Sequence, residues 1–472
     1  MSWTHDVVVV GAGSAGLTAA GGLAQLGLRV ALVEAGPMGG ECLNTGCVPS
    51  KSLLAIAARA QAVREAGRFG ILTQEPQVNF VAVMAHVRGV IAEIAPHDAP
   101  ERFEAWGVEV IRAHARFTAP RTLLVAGRTL RAPRIVLAVG SRPTVPSIPG
   151  LDVVPFLTNE TLFSIDALPD RLVVLGAGSV GMEMAQAFRR LGAEVAVIDR
   201  GPPLSSDEPE AAALVAERLQ AEGVTFHRAT IRGVSAIRGG VSVELDGDGT
   251  VEGSHLLVAL GRSANLRGLG LDEAGVGTDG GGIVVDDRLR TSACGVYAIG
   301  DCRDGPRLTH AAGYEGARIV AAIGFGLRAR VDYRALPRVA YTSPELAQVG
   351  MTEAEAREKG GRVTVMREPF ADNDRAVAEG ASEGFLKVVR RNGRVVGACL
   401  AGERVGDLTM PWVLSIGGAK PTPWALSGMI LPYPTRSEIT KAAAFAVYAP
   451  RLFSRPARLW AGILAALRRR LG

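Results

Sequence analysis

The sequence predicts an α/β protein in which two βαβ units precede a C-terminal α+β domain. Three observations carry that prediction: a glycine-rich turn occurs twice in the same setting, an acidic residue follows each turn at the same distance, and the chain changes style near residue 336. In the first unit, residues 6–10 form an apolar run leading into GAGSAG at 11–16. Residues 17–26 then read as a helix, and residues 28–33 as a second strand ending at Glu34. The pattern recurs as a run at 172–175, GAGSVG at 176–181, a helix through Arg190 and a strand at 194–198 ending at Asp199. Each acid stands 23 residues after the first glycine of its turn. With 58 glycines in the chain, one GxGxxG is expected about once by composition alone, whereas two copies in matched strand-turn-helix context are a strong signal.

The residue types follow from the chemistry such turns perform. Gly11, Gly13 and Gly16, and likewise Gly176, Gly178 and Gly181, permit a tight turn and let backbone approach a pyrophosphate. Ser14 and Ala15, and Ser179 and Val180, open helices whose N-termini offer unpaired N–H groups and partial positive charge. Glu34 and Asp199 suit ribose hydroxyls. Both units are therefore Rossmann-like.

At 472 residues the chain is long enough for about three domains. Residues 133–143 read as a buried strand and a turn at Gly140 and Ser141, where the chain leaves the first domain, and a matching strand at 255–261 closes the second at Gly261. Residues 295–301 return to strand character and end at Asp301, and a helix is expected at 309–323. The expected divisions are 1–150, 151–275, 276–335, 336–450 and 451–472.

Bulk composition removes several function classes. Hydrophobic residues make up 48% and charged residues 21%, and no run approaches the ~20 apolar residues of a membrane span. The net charge of +5 is misleading, because the last 22 residues hold six arginines and no acid; without those six charges the remainder stands at −1. No basic stripe interleaved with aromatics is present outside that tail, so no nucleic-acid partner is expected. The N-terminus has no basic flank, apolar core or cleavage site, so residence in the cytoplasm is expected. Five cysteines, few and odd in number, argue against a structural disulfide framework and direct attention to closely spaced pairs. No resident metal site is expected.

One such pair lies in GGECLNTGCVPSK at residues 39–51, shortly after Glu34. On a regular helix the spacing of Cys42 and Cys47 would point them apart, but Gly46 loosens the turn and Pro49 removes a backbone hydrogen bond. A bridge with a Cα separation of about 5–6 Å is then geometrically open. A place near a helix start also lowers a thiol pKa and favours redox chemistry.

This block resembles the redox-active motif of the pyridine nucleotide-disulfide oxidoreductases, which include dihydrolipoamide dehydrogenase, glutathione reductase and mercuric reductase. The resemblance runs from residue 5 to about 447. It implies that the first domain binds FAD through Gly11, Gly13, Ser14, Ala15, Gly16 and Glu34, assisted by Gly40, Glu41, Lys51, Ala115, Gly140 and Ser141. It implies further FAD contacts from Asp301, which meets the ribityl chain, and from Leu308, His310 and Ala311. The nicotinamide falls to Gly176, Gly178, Ser179, Val180, Gly181, Asp199, Arg200 and Gly261. Lys51 and Glu183 are implied to pair beside flavin and nicotinamide, with Cys47 the flavin-side thiol and Cys42 the interchange thiol. The ring of His310 is equally well read as a core histidine, and Cys302 as a packed residue. Asp199 would repel a 2′-phosphate, so NADH is expected over NADPH, with Arg200 weighing against.

The resemblance also implies a homodimer and shows one departure. Disulfide-reducing members carry His-Pro-Thr-x-x-Glu near the C-terminus, donated across the dimer so that the histidine serves as base. Here the run is YPTRSE at 433–438, retaining the glutamate as Glu438 but placing Tyr433 at the base position. Tyrosine titrates near 10 against about 6.5 for histidine and is the poorer proton acceptor. Tyr433 resembles mercuric reductases, although an N-terminal metal-binding domain and vicinal C-terminal cysteines are not present in these residues. The expected enzyme is mercuric-reductase-like, with dihydrolipoyl dehydrogenase as the alternative and a small-molecule disulfide, a metal ion or a quinone as acceptor. A reading of another class is a non-catalytic flavin-binding redox sensor at the membrane surface.

The tail adds a separate expectation. Over residues 457–471 a helix would gather Trp460, Ile463, Leu464, Leu467 and Leu471 on one face, with Arg458, Arg468, Arg469 and Arg470 near its ends. Such a helix suits peripheral contact with an anionic membrane surface, and equally suits packing on the enzyme itself or at a dimer interface.

Overall fold

The computed structural model describes residues 2–418 and 422–471, and of residues 470 and 471 the backbone only. The chain forms two compact units, Met1–Pro202 with Glu222–Asp332, and Pro203–Ala221 with Tyr333–Gly472. In the first unit the strands that build its parallel sheets are β1 (Val7–Val10), β2 (Val30–Glu34), β3 (Val108–Arg112), β4 (Arg134–Leu137), β5 (Arg171–Leu175), β6 (Glu194–Asp199), β7 (Val224–Arg228), β8 (His255–Val258) and β9 (Val296–Ala298). They assemble as two sheets, in the orders β9-β4-β1-β2-β3 and β7-β6-β5-β8.

The two sheets repeat one topology. From β1 the chain winds outward through β2 and β3 and then crosses back to β4; from β5 it winds outward through β6 and β7 and crosses back to β8. The strand order therefore reverses beside β1 and beside β5, and ligands of such folds sit at the C-terminal ends of the strands flanking that reversal. The unbroken valines of β1 follow from its central place. Val7 and Val9 enter the core on one face, Val8 and Val10 that on the other, so neither face can be polar.

The helices that matter for the site are α1 (Ser14–Gln25), α2 (Gly40–Asn44), α3 (Cys47–Glu65), α4 (Ser179–Leu191) and α5 (Thr309–Gly324). Ala15, Ala19 and Leu23 of α1 share one core cluster with Ala312 and Ile319 of α5. That packing draws the start of α5 toward the first glycine turn. Past β4 and past β8 the chain forms a two-stranded ribbon, residues 141–143 pairing with 262–264.

The second unit is α+β, as expected. Strands β10 (Pro337–Ala340), β11 (Glu345–Gly350), β12 (Val363–Pro369), β13 (Phe385–Arg391) and β14 (Arg394–Gly402) form an antiparallel sheet in the order β10-β11-β14-β13-β12. Its core gathers Phe370, Leu386, Leu400, Trp412 and Ile439. The helix Pro209–Ala221, which connects β6 to β7 along the chain, belongs to this unit. Lys387 of β13 accounts for part of that attachment. Its buried ammonium lies 3.0 Å from Glu208, 2.9 Å from Glu210 and 2.7 Å from Glu353. Burial alone pulls its pKa down, and hydrogen bonds to the three carboxylates more than reverse this, so the net shift is upward. Among the described residues no helix is long and apolar enough to cross a membrane.

Replacing Lys387 by Ala leaves the buried Glu208 carboxylate without its ion pair, while Glu210 and Glu353 keep Arg367 and Arg357, and breaking a buried pair costs about 3–5 kcal/mol. Thermal unfolding should show Lys387→Ala well below the parent and Lys387→Arg near it; equal melting of all three would mean that the clasp holds nothing.

Candidate active site

Each glycine turn meets the same three demands. A Cβ on Gly11, whose φ is +106°, would lie 2.2 Å from the Ala138 carbonyl just past β4, and a Cβ on Gly16 would lie 1.8 Å from the Gly11 carbonyl. At Gly13 the equivalent space is open. The second turn repeats this: Gly176, φ +108°, against the Ala259 carbonyl at 2.4 Å, Gly181 against the Gly176 carbonyl at 1.9 Å, and open space at Gly178. The turn, the close packing and the open approach are the features a dinucleotide pyrophosphate needs. Helices α1 and α4 begin after Gly13 and Gly178 without a side-chain cap, which leaves their first N–H groups for an anion. Ser14, Ala15, Ser179 and Val180 form those first turns. Both cradles fit a dinucleotide.

The two acids also behave alike. Glu34 accepts from the amides of Ala12 and Gly36, and Asp199 from those of Ala177 and Gly201, both at 2.8 Å. Each carboxylate thus braces its own glycine turn at the end of a strand. Arg200 beside Asp199 is exposed.

The cysteines stand on two helices separated by a break. Cys42 lies within α2, Thr45 and Gly46 interrupt the helix, and Cys47 opens α3. The segment is anchored to the first turn by the Gly39 amide, which donates to the Ala12 carbonyl at 3.0 Å, and by Gly40, φ +58°, where a Cβ would stand 2.8 Å from the Gly13 Cα. Both cysteines are free thiols here and they respond to their surroundings in opposite ways. Cys47 is held below the ordinary thiol range, first by the hydrogen bond from Cys42, then by Thr309 and the charge of Lys51, against burial and Glu183. Cys42 is pushed up by the same hydrogen bond and by burial, with Ser14 and Thr309 opposing. The Cys47 sulfur lies 3.2 Å from the Thr309 hydroxyl at the start of α5. The Thr309 hydroxyl and the charge of Lys51 thus both favour a thiolate at Cys47.

Lys51, in the first turns of α3, donates to Glu183 of α4 at 2.8 Å, and Glu183 is buried. Leu308 precedes α5, Ala311 is buried in it, and the His310 ring is exposed, so the core-histidine reading of that ring fails. Ala115 is buried at the start of a small antiparallel sheet beside the first parallel one. Cys302 is fully buried and pushed up to about 12 by that burial, an inert packed thiol.

Several residues that the sequence did not single out complete the site. Arg262, directly after Gly261, pairs with Glu41, donates to the Ser141 hydroxyl at 2.8 Å and lies 3.7 Å from Asp301. Ser141 in turn donates to Asp301 at 2.8 Å, and Asn159 donates to Glu41 at 2.9 Å. Burial raises the pKa of both Glu41 and Asp301. The turn bearing Asp301 is fixed from behind: Glu315 accepts from the Gly300 amide at 2.7 Å and pairs with Arg303, both side chains buried. Arg262 was within reach of the internal repeat, since Gly261-Arg262 follows β8 as Gly140-Ser141 follows β4.

Tyr433 and Glu438 belong to the second unit. The Tyr433 hydroxyl donates to Asp374 at 2.8 Å, and that hydrogen bond together with the charges of Asp374 and Glu438 raises its pKa above the ordinary phenol value. Glu438 accepts from the Thr435 amide at 3.2 Å and closes its own turn.

Fold and site together define an oxidoreductase with two dinucleotide folds and a dithiol docked on the first. Residues 5–316 match the sequence profile of the pyridine nucleotide-disulphide oxidoreductases, and residues 336–444 match the dimerisation domain of that family. The chain belongs to this family, and it is an NAD(P)H-dependent flavoenzyme. It is 37% identical over 458 residues to a dihydrolipoyl dehydrogenase of Thermus scotoductus, covering 94% of this chain and 98% of that one. It is 34% identical over 453 residues to a mercuric reductase of Streptomyces lividans, covering 93% and 95%. Among solved structures it superposes on the HOCl-induced flavoprotein disulfide reductase RclA of Escherichia coli with a TM-score of 0.83 at 28% identity, covering 93% of this chain and 99% of that one.

If the Thr309 hydroxyl stabilises the Cys47 thiolate, Thr309→Val should raise the pH at which thiolate absorbance of the reduced enzyme half-appears. A hydrogen bond to a charged group is worth about 1.5–3 kcal/mol, which corresponds to about one to two pH units. An unshifted titration would remove Thr309 from the account.

Proposed function

We propose that this enzyme carries two electrons from NADH through FAD to the Cys42–Cys47 disulfide, and from the dithiol to a thiophilic metal ion. The observation that carries the reading is the seating of the free cysteines Cys42 and Cys47 on helices docked against the first dinucleotide cradle, with the Thr309 hydroxyl 3.2 Å from the Cys47 sulfur. FAD, when bound, supplies a two-electron relay between nicotinamide and disulfide. Gly11, Gly13, Gly16, Glu34 and the N-terminus of α1 would hold its adenosine diphosphate end, and Asp301 with Ser141 its ribityl end. Arg262 offsets the negative charge that Glu41 and Asp301 bring to the same place. Lys51 and Glu183 form an ion pair at 2.8 Å beside the thiols.

The electron balance is closed by the cysteines. Two electrons and two protons convert the disulfide to thiols, of which Cys47 gives up its proton more readily. Binding of a soft cation by both sulfurs releases the second proton, and return of the electron pair to the cation restores the disulfide. A divalent ion that accepts one pair is reduced to the element, and cupric ions each accept one electron.

Two observations favour a metal ion over a disulfide substrate. Interchange with an external disulfide needs a base, and Tyr433 has been driven further from that role by Asp374. The relatives do not decide between the two, since mercuric reductases at 32–34% identity stand beside dihydrolipoyl dehydrogenases at 32–37%, each over 93–94% of the chain. RclA of Escherichia coli is described in a Cu(II) complex. For the nicotinamide, Asp199 occupies the place in the second half that Glu34 holds in the first, and a carboxylate there disfavours a 2′-phosphate. The enzyme acts as a homodimer through residues 336–444.

An acceptor panel tests the reading. Turnover with mercuric or cupric ion should exceed that with lipoamide, and kcat/KM for NADH should exceed that for NADPH by more than about tenfold, since like charges brought together cost several kcal/mol. Tyr433→His should raise lipoamide turnover, because general base catalysis contributes about a hundredfold to ten-thousandfold. Brisk lipoamide activity in the parent enzyme would instead make it a dihydrolipoyl dehydrogenase.

A further inference from the structure

Beyond residue 444, where the match to the dimerisation domain ends, the chain forms one more long helix, α6 (Arg455–Leu471). Its root is fixed: the Phe453 ring packs edge-on against Phe445, and Tyr448 likewise against Trp424. The helix itself keeps an open apolar face. Trp460, Ile463, Leu464 and Leu467 stand at i, i+3, i+4 and i+7, the spacing of a single stripe. Trp460 is 61% exposed and Leu467 49%, so the enzyme's own surface does not cover them. Leu471 and Arg470, which extend the stripe and its flank in sequence, lie outside the described side chains. Arg458 and Arg469 project from the opposite face, Arg455 lies next to them and Arg468 flanks the stripe. None of these four has a carboxylate partner among the described residues.

We propose that α6 is a docking element for an anionic lipid bilayer, lying in the headgroup plane with Trp460, Ile463 and Leu467 turned into the acyl boundary. Charge selects this occupant. The last 22 residues carry six arginines and no acid, while the remaining 450 residues sum to −1. An anionic bilayer offers both surfaces the helix needs, apolar below and negative above. Pairing two such tails would instead bring like charges together. The family's dimerisation domain is also complete before the helix begins. At about 25 Å, from 1.5 Å per residue, α6 is too short and too charged to cross a bilayer, which fits contact along the surface.

The test uses the full-length flavin-loaded enzyme with vesicles of phosphatidylcholine mixed with phosphatidylglycerol, and with vesicles of phosphatidylcholine alone. The enzyme should co-sediment with the mixed vesicles and not with the neutral ones, and Trp460 fluorescence should shift to the blue, a shift absent in Trp460→Phe. Each of Arg455→Gln, Arg458→Gln, Arg468→Gln and Arg469→Gln should weaken partitioning about fivefold. Leu467→Glu and Ile463→Glu should abolish it while turnover of a soluble acceptor stays unchanged. Equal sedimentation of the full chain and a chain ending at Pro450 overturns the proposal, as does binding to neutral vesicles of equal strength. Dimer dissociation by Leu467→Glu with vesicle binding intact would assign the face to a second copy.

Discussion

The approach of two backbones at Gly40 and Gly13 is the constraint on which the site depends. There is no room for a side chain between them, and the Gly39 amide closes the contact by bonding to Ala12. The loop that is open toward a pyrophosphate is thereby the same loop against which the cysteine helix is set down. The separation of the glycine cradle from the dithiol helix is thus set by backbone contacts rather than by side chains that could rotate. The break at Thr45 and Gly46 then turns the chain so that Cys47 begins a new helix, where the partial positive charge of its N-terminus favours a thiolate. The helix break thereby adds to the Thr309 hydroxyl and the Lys51 charge, which also favour a thiolate at Cys47.

A second theme is how much ionisable material the first unit concentrates near one place, and how it is balanced. Glu41, Asp301, Glu183 and a thiolate would be a costly group of anions in a half-buried site. Arg262 answers the first two, Lys51 the others, and Glu315 with Arg303 supplies a separately neutral pair that holds the Asp301 turn. The asymmetry of the thiols rests on this balance, since removing Lys51 or adding another anion would raise the Cys47 pKa.

What could be read from the sequence was what local backbone demands impose. The two glycine turns, the strands flanking them, the acid at the end of each second strand and the helix break between the cysteines are written in contiguous residues, because only glycine tolerates those turns and contacts. The antiparallel sheet after residue 336 announced itself by a change in pattern. Contacts across 100 residues or more left no such mark: Thr309 on Cys47, Arg262 on Glu41 and Asn159 on Glu41 each join segments that are neighbours only once the fold is made. The clasp of Lys387 on Glu208 likewise could not be read, because the helix Pro209–Ala221 looks like an ordinary crossover of the second βαβ half. Tyr433 was visible as a departure, but its hydrogen bond to Asp374, which decides its proton affinity, was not.

The central claim is that Cys42 and Cys47 form a redox centre in series with the flavin. Anaerobic reductive titration of the purified enzyme, followed by visible absorbance, measures this directly. The account predicts uptake of about four electrons per subunit, two more than a flavin alone accepts, with the first pair leaving the flavin oxidised beside a thiolate. Uptake of about two electrons, with the flavin bleaching from the first addition and no difference on replacing either cysteine by serine, would contradict it.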